Sequence, residues 1–184
     1  MIGEDFTAVL ASAQEGGETA FSALWRDVNP ALLRYLRVLA PDAAEDVASE
    51  TWVQVVRGLP SFRGDEGAWR AWLFTIARRR AIDEGRRRSR HPAGSLAEVT
   101  GGREPRTADA AELAMESLGT AAAVAAVAAL PPLQAEVILL RVLAGLDTDL
   151  VARIVGRSPG AVRVAAHRGL RRLAQTLAER GVTL

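Results

Sequence analysis

The chain has 184 residues, with 23 basic and 22 acidic side chains that leave a net charge of +1, and all of the basic ones are arginine. There is no cysteine, which excludes disulfides, thiolate metal sites and cysteine nucleophiles, and His91 and His167 are too few and too far apart for a zinc site, so no metal or cofactor is expected. Apolar residues make up 49%, enough for a packed core. No run of 18 apolar residues is present, and the acidic start from Met1 to Leu10 lacks the layout of a signal peptide, so a cytoplasmic protein without membrane insertion is expected.

Apolar spacing of three and four, with no sustained alternation, predicts an all-α fold. Phe21, Leu24, Trp25, Val28, Leu32, Tyr35, Leu36 and Leu39 make one helix face, and Pro30 inside it predicts a kink or break. Asp42 followed by Glu45 has capping-box spacing and opens a second helix, buried through Val47, Thr51, Val55 and Leu59. A loop at 61–67 precedes a long third helix from about Ala68 into Arg86–Arg88. The stretch 89–117 carries Pro92, Gly94, Gly101, Gly102 and Pro105 and little apolar content, which is linker composition. The chain therefore divides into helical modules at 1–88 and 118–184, joined by a flexible linker at 89–117.

The second module opens with an alanine-rich run to Leu130, either helix or filler. Pro131-Pro132 then starts an apolar helix over 133–146, and Asp147 caps a short helix over 147–156. Ser158 and Pro159 are N-cap and first-turn proline of a last helix running to about Leu177. Two helices joined by Gly156-Arg157-Ser158 have the form of a helix-turn-helix. Leu146, Leu150, Val151 and Ile154 face inward from the first; Val162, Ala166, Leu170 and Leu173 do so from the second, with Ala152 and Gly156 permitting close approach.

The near-zero net charge hides segregation. Residues 1–30 are net −4, whereas 60–90 and 141–180 are each net +5. Two basic stretches point to a polyanion, with nucleic acid first because guanidinium forks match phosphates and guanine edges; solvated helix faces are the alternative. In the last helix Arg163 and His167 are expected to read base edges, His167 alternatively being a surface helix residue, and Arg157 in the turn with Arg168, Arg171 and Arg172 is expected to hold phosphates. All four tryptophans precede position 73. Trp52, Trp69 and Trp72 either fill a core or form a stacking platform for unpaired bases.

Four blocks in order resemble the sigma-70 family of bacterial RNA polymerase initiation factors, in its short extracytoplasmic-function (ECF) form. They are AEDVASETWVQVVRGL at 44–59, FRGDEGAWRAWLFTIARRRAIDEGRRRSR at 62–90, LPPLQAEVILLRVLAGL at 130–146 and DTDLVARIVGRSPGAVRVAAHRGLRRLA at 147–174. The resemblance implies a transcription initiation factor without catalysis. It implies that Asp46, Glu50, Trp52, Gln54 and Arg57 dock on the β′ coiled-coil of core polymerase. It implies that loop 60–67 and the following helix capture and hold the melted −10 strand through Phe62, Arg63, Trp69, Arg70, Trp72 and Thr75, and further along through Arg78, Arg79, Asp83, Arg87 and Arg88. The last two blocks, which resemble the family's region 4, would grip the −35 duplex through Arg157, Ser158, Pro159, Gly160, Arg163 and Val164, then His167, Arg168, Arg171 and Arg172, and would meet the β flap. An anti-sigma factor is the implied regulator, with the apolar face of 133–143 and the Trp52 helix as docking surfaces.

The chain departs from the family where glutamine is frequent and Ser49 stands, and where asparagine is frequent and Arg79 stands. Ala161, Val164, Ala165 and Ala166 replace larger or polar residues in the last helix. That set predicts few base contacts and greater dependence on DNA shape. The alternative function is a free-standing helix-turn-helix regulator. No phosphate-binding glycine loop, nucleophile elbow or zinc motif supports an enzyme, and the neighbouring carboxylates Asp65-Glu66 and Asp83-Glu84 point apart on a helix.

Overall fold

The computed structural model describes residues 1–90 and 122–179, all of them helix, turn or loop, with no strand among the described residues. Beyond Arg90 the expected linker lies outside them. The helices in order are α1 (Phe6–Gln14), α2 (Glu18–Leu39), α3 (Ala44–Gly58), α4 (Glu66–Arg90), α5 (122–128), α6 (Pro132–Val142), α7 (Thr148–Val155) and α8 (Pro159–Glu179).

In α2, Leu24, Val28, Leu32, Tyr35 and Leu36 recur at helical spacing and are all fully buried. Pro30 does not break the helix, which continues to Leu39. The ring sits on the exposed side, where the missing donor frees a carbonyl toward water rather than into the core. The same face also departs from expectation at Trp25, which is 42% exposed. Helix α1 was not foreseen; it docks on α2 through Phe6, Leu10 and Ala13.

The expected capping box at Asp42 does not form. Helix α3 starts at Ala44 without a side-chain cap. Asp42 instead lies inside a 3-10 turn, Pro41–Ala43, one residue ahead of the Ala43 N-cap position, and its carboxylate accepts from Arg88 at 2.8 Å. Helix α4 is capped by Asp65, whose Oδ1 accepts from the Ala68 amide at 2.7 Å.

The buried residues of both halves of the chain form one continuous core. Helix α6 lies against α2, and α7 against α4. This contact joins the two modules that sequence composition separates. At its centre Arg70, 4% exposed, pairs with Asp27, approaches Glu66 at 3.6 Å and donates to the Ala144 carbonyl at 3.3 Å. A buried guanidinium of this kind is tolerated because carboxylates surround it.

Candidate nucleic-acid interface

The turn between α7 and α8 is built from local chemistry. Asp147 caps α7 by accepting from the Leu150 amide at 2.7 Å. Gly156 ends it at φ +66°, in the left-handed region, and the amides of Gly156 and Arg157 both return to the Ala152 carbonyl. Ser158 then caps α8, its Oγ accepting from the Ala161 amide at 3.2 Å. Nothing lies within 4 Å of a Cβ at Gly156, so this glycine serves backbone conformation and not the close approach expected of it. Close approach is met at Gly169, where a Cβ would stand 2.7 Å from Ile138 Cδ1 of α6.

Val162, Ala165 and Gly169 turn α8 inward. Leu170, expected on that side, is 50% exposed, because its neighbour Gly169 is the position that meets α6. The opposite face exposes Arg163, Val164, His167, Arg168 and Arg171, continuous with Arg157, Ser158 and Gly160 at the turn; Pro159 is half-buried. Arg172 sits at the edge of the stripe and reaches Gln134 at 3.4 Å. No acidic residue lies between Asp149 and Glu179. The stripe is therefore uniformly positive and capable of neutralising several phosphates in a row.

The second basic stretch is different. Phe62 stacks on Trp72, with ring centroids 5.1 Å apart at 27°, and meets Trp69 edge-on. The benzo edge of Trp72 abuts Gly58, where a Cβ would stand 2.7 Å from Cζ2. Trp72 thus has one face stacked on Phe62 and is half-buried. Trp69 is fully buried, and Arg70 is enclosed by its carboxylates. Both had been expected to touch the melted strand; both are instead packing residues of the core, because the α4 face that carries them is turned into the junction with α2 and α7.

Thr75 is half-buried and returns its hydroxyl to the Ala71 carbonyl at 2.7 Å. Arg63 is exposed and bonds to its own loop carbonyls of Pro60 and Phe62. Arg79, Asp83, Arg87 and Arg88 are exposed along the remaining face of α4. Glu84 sits among them, and hydrogen bonds first from Arg87 and then from Arg88 hold its carboxyl below the usual carboxylate range. Arg78 is held aside by Glu136 of α6, its Nε donating at 2.7 Å.

On α3, Asp46, Glu50, Gln54 and Arg57 form one exposed stripe. Arg80 of α4 reaches Gln54 at 3.2 Å and Glu50 at 3.4 Å. Trp52 does not share the stripe. It is 9% exposed, donates from Nε1 to Asn29 at 2.9 Å and packs edge-on against Phe21. Its neighbours Val53 and Val56 are half exposed instead, and with Trp25 they make an apolar surface that sequence reasoning did not single out. Their positions off the 47–51–55 spacing carried that signal. The apolar face of 133–143, considered a docking surface, is mostly core: Val137, Ile138, Leu139 and Leu140 are buried, and only Arg141 and Val142 are exposed.

The family model described as Sigma-70 region 2 matches residues 24–91, and that described as Sigma-70, region 4 matches residues 120–173. The ECF RNA polymerase sigma factor ShbA of Streptomyces griseus is 38% identical over 182 residues, covering 94% of each chain. The ECF RNA polymerase sigma factor SigD of Mycobacterium tuberculosis is 32% identical over 190 residues, 98% of this chain and 88% of that protein. Two solved structures share the fold at 23% identity and a TM-score of 0.61. One is of CnrH in complex with the cytosolic domain of CnrY, matched over 94% of this chain and 96% of that one. The other is of the sigma factor RpoE with the anti-sigma factor NepR from Bartonella quintana, matched over 86% and 96%.

Proposed function

The chain belongs to the sigma-70 family of RNA polymerase sigma factors, in its ECF group, and from that premise we propose that it directs core polymerase to promoters by reading a −35 duplex and a melted −10 strand. The observation that carries this reading is the acid-free arginine stripe on α8 behind a turn capped at both ends. Residues 118–184 form the −35 module. Arg163 and His167, near the start of α8, meet base edges, and Arg157, Arg168, Arg171 and Arg172 hold phosphates. Val164 and the small residues beside it offer little hydrogen bonding, so part of the selectivity comes from DNA shape.

Residues 1–88 form the −10 and polymerase module. Arg63, Arg79, Arg87 and Arg88 follow the backbone of the unpaired strand, with Phe62 next to Arg63 in the loop. Trp69 and Arg70 support that surface from beneath. Capture of unstacked bases offsets a melting cost of a few kcal/mol. The Asp46–Glu50–Gln54–Arg57 stripe docks on the β′ coiled-coil, and region 4 meets the β flap. Residues 89–117 connect the modules along the polymerase channel. Every step is an exchange of binding energies, and no residue performs a covalent step.

An anti-sigma factor is the proposed regulator. It is supported by the exposed apolar surface of Trp25, Val53 and Val56 beside the polymerase-docking stripe, because a protein seated there competes directly with polymerase.

The test is run-off transcription with purified chain, bacterial core polymerase and promoter fragments, alongside duplex binding without core. Discrete transcripts that require the chain, with weak duplex binding by the chain alone, are expected. Tight duplex binding alone and no core-dependent transcript would make the chain a free-standing regulator.

A further inference from the structure

We infer that Asp83 selects a cytosine in the −10 element, by accepting a hydrogen bond from its exocyclic amine. The inference rests on the promoter-reading function proposed above and names one base of that site. The outward face of α4 carries Trp72, Thr75, Arg79, Asp83, Arg86 and Arg90 at spacings of three and four, so they form one row along the helix. Trp72, which stacks on Phe62 of the preceding loop, starts the row. Asp83 lies 11 residues further on, about 16 Å of helix, and is the one acid in the row.

A carboxylate in such a row is costly where the ligand is a polyanion, since it repels every phosphate that its neighbours attract. Nearby acids avoid that cost by pairing within the chain. Glu84 gives one oxygen to Arg87 and the other to Arg88, each at 2.9 Å. Asp42 accepts from Arg88 at 2.8 Å, and Glu50 from Arg80 at 3.4 Å. Asp83 has no hydrogen-bonded cation among the described residues. Its side chain is 69% exposed, and Arg86 approaches to 3.7 Å, beyond hydrogen-bond distance. Its oxygens remain available to a donor on the DNA, and a base edge supplies one where the phosphates cannot.

Base chemistry then picks the donor. On their major-groove edges guanine shows the O6 and N7 acceptors and thymine the O4 acceptor, all of which repel a carboxylate. Adenine sets its N6 amine beside the N7 lone pair, a pattern that an amide matches and a carboxylate opposes. Cytosine offers the N4 amine with no acceptor on that edge. Pairing uses one of the two N4 hydrogens, so the same contact is open on the duplex and on the melted strand. Arg79 and Arg86, one turn to either side of Asp83, hold the flanking phosphates and bring the base edge to the carboxylate.

The test is run-off transcription by the full chain with core polymerase, on fragments that carry each of the four bases at each −10 position in turn. One position should favour cytosine over thymine about tenfold with the unsubstituted chain. Asp83→Ala should erase that preference and leave the other positions unchanged. Asp83→Asn should move it to adenine, whose N6 and N7 an amide matches. Placing 2-pyrimidinone there, which lacks only the N4 amine, should cost the unsubstituted chain about tenfold and Asp83→Ala nothing. The thermal midpoint of Asp83→Ala should stay put, because the side chain is exposed. No cytosine preference at any position, or a preference for guanine that Asp83→Ala removes, overturns the inference. So does an equal change on every sequence with Asp83→Ala, which with a lowered midpoint leaves Asp83 a helix-stabilising partner of Arg86. In each of those cases core-dependent transcription survives. No transcript from any fragment with the unsubstituted chain overturns the initiation-factor reading, and this inference with it.

Discussion

Tyr35 is the only tyrosine, and the chain has neither lysine nor cysteine. Between about pH 9 and 12, therefore, the ordinary side-chain pKa values leave one group to titrate, this phenol. It is fully buried. Burial pushes its pKa well above the ordinary phenol value; the charge of Glu136 and the hydrogen bond to it push the same way, and Arg78 opposes them. Below about pH 10 the phenol is protonated in both folded and unfolded chains, so it adds no pH dependence. Above that, the unfolded chain releases a proton that the folded chain retains. Stability should then fall by about 1.4 kcal/mol per pH unit until the raised folded pKa is reached. The assay pairs the tyrosinate absorbance of the folded protein with guanidinium unfolding at pH 9, 10 and 11. The folded protein should show no tyrosinate near pH 10 while its unfolding midpoint declines, and Tyr35→Phe should remove the decline. Ionisation of the folded protein near pH 10, with a flat stability profile, refutes the burial and the contact with Glu136 together.

Trp69→Ala should cost about 3–5 kcal/mol of stability, read as a drop in thermal midpoint, because it empties a fully enclosed site; an unchanged midpoint with lost promoter binding would instead return Trp69 to the DNA. Gly156→Ala should cost about 1–2 kcal/mol through the positive φ alone, since no atom obstructs the added methyl, and urea unfolding measures it. Arg163→Ala should weaken −35 binding by about 1–3 kcal/mol and relax selection at one base, and equal loss on every −35 variant would make Arg163 a phosphate contact.

The helix-turn-helix was legible in the sequence because its determinants are local. Asp147, Gly156 and Ser158 each act within a few residues of themselves, through a cap, a left-handed turn and a second cap. The inward spacing of α2 and α6 was legible for the same reason, since helical period alone puts Leu24, Val28 and Leu32 on one face. Local rules failed where a distant partner intervened. Asp42 had a capping sequence, but a 3-10 turn moved the start of α3 past it, and its carboxylate meets Arg88, 46 residues away. Arginines in 62–90 looked equivalent in sequence, yet Arg70 is buried against Asp27, Arg78 is bound by Glu136, and Arg79 is exposed.

Composition and period thus determined an all-helical chain with two basic stretches and a helix-turn-helix. Only the tertiary structure decided which tryptophans are core, which arginines face water, and that the two modules share an interface. Those outcomes depend on contacts between residues far apart in the chain, such as Arg70 with Asp27, 43 positions apart, and Tyr35 with Glu136, 101 positions apart. Spacing along one helix specifies a face, but it carries no information about which other helix will cover that face.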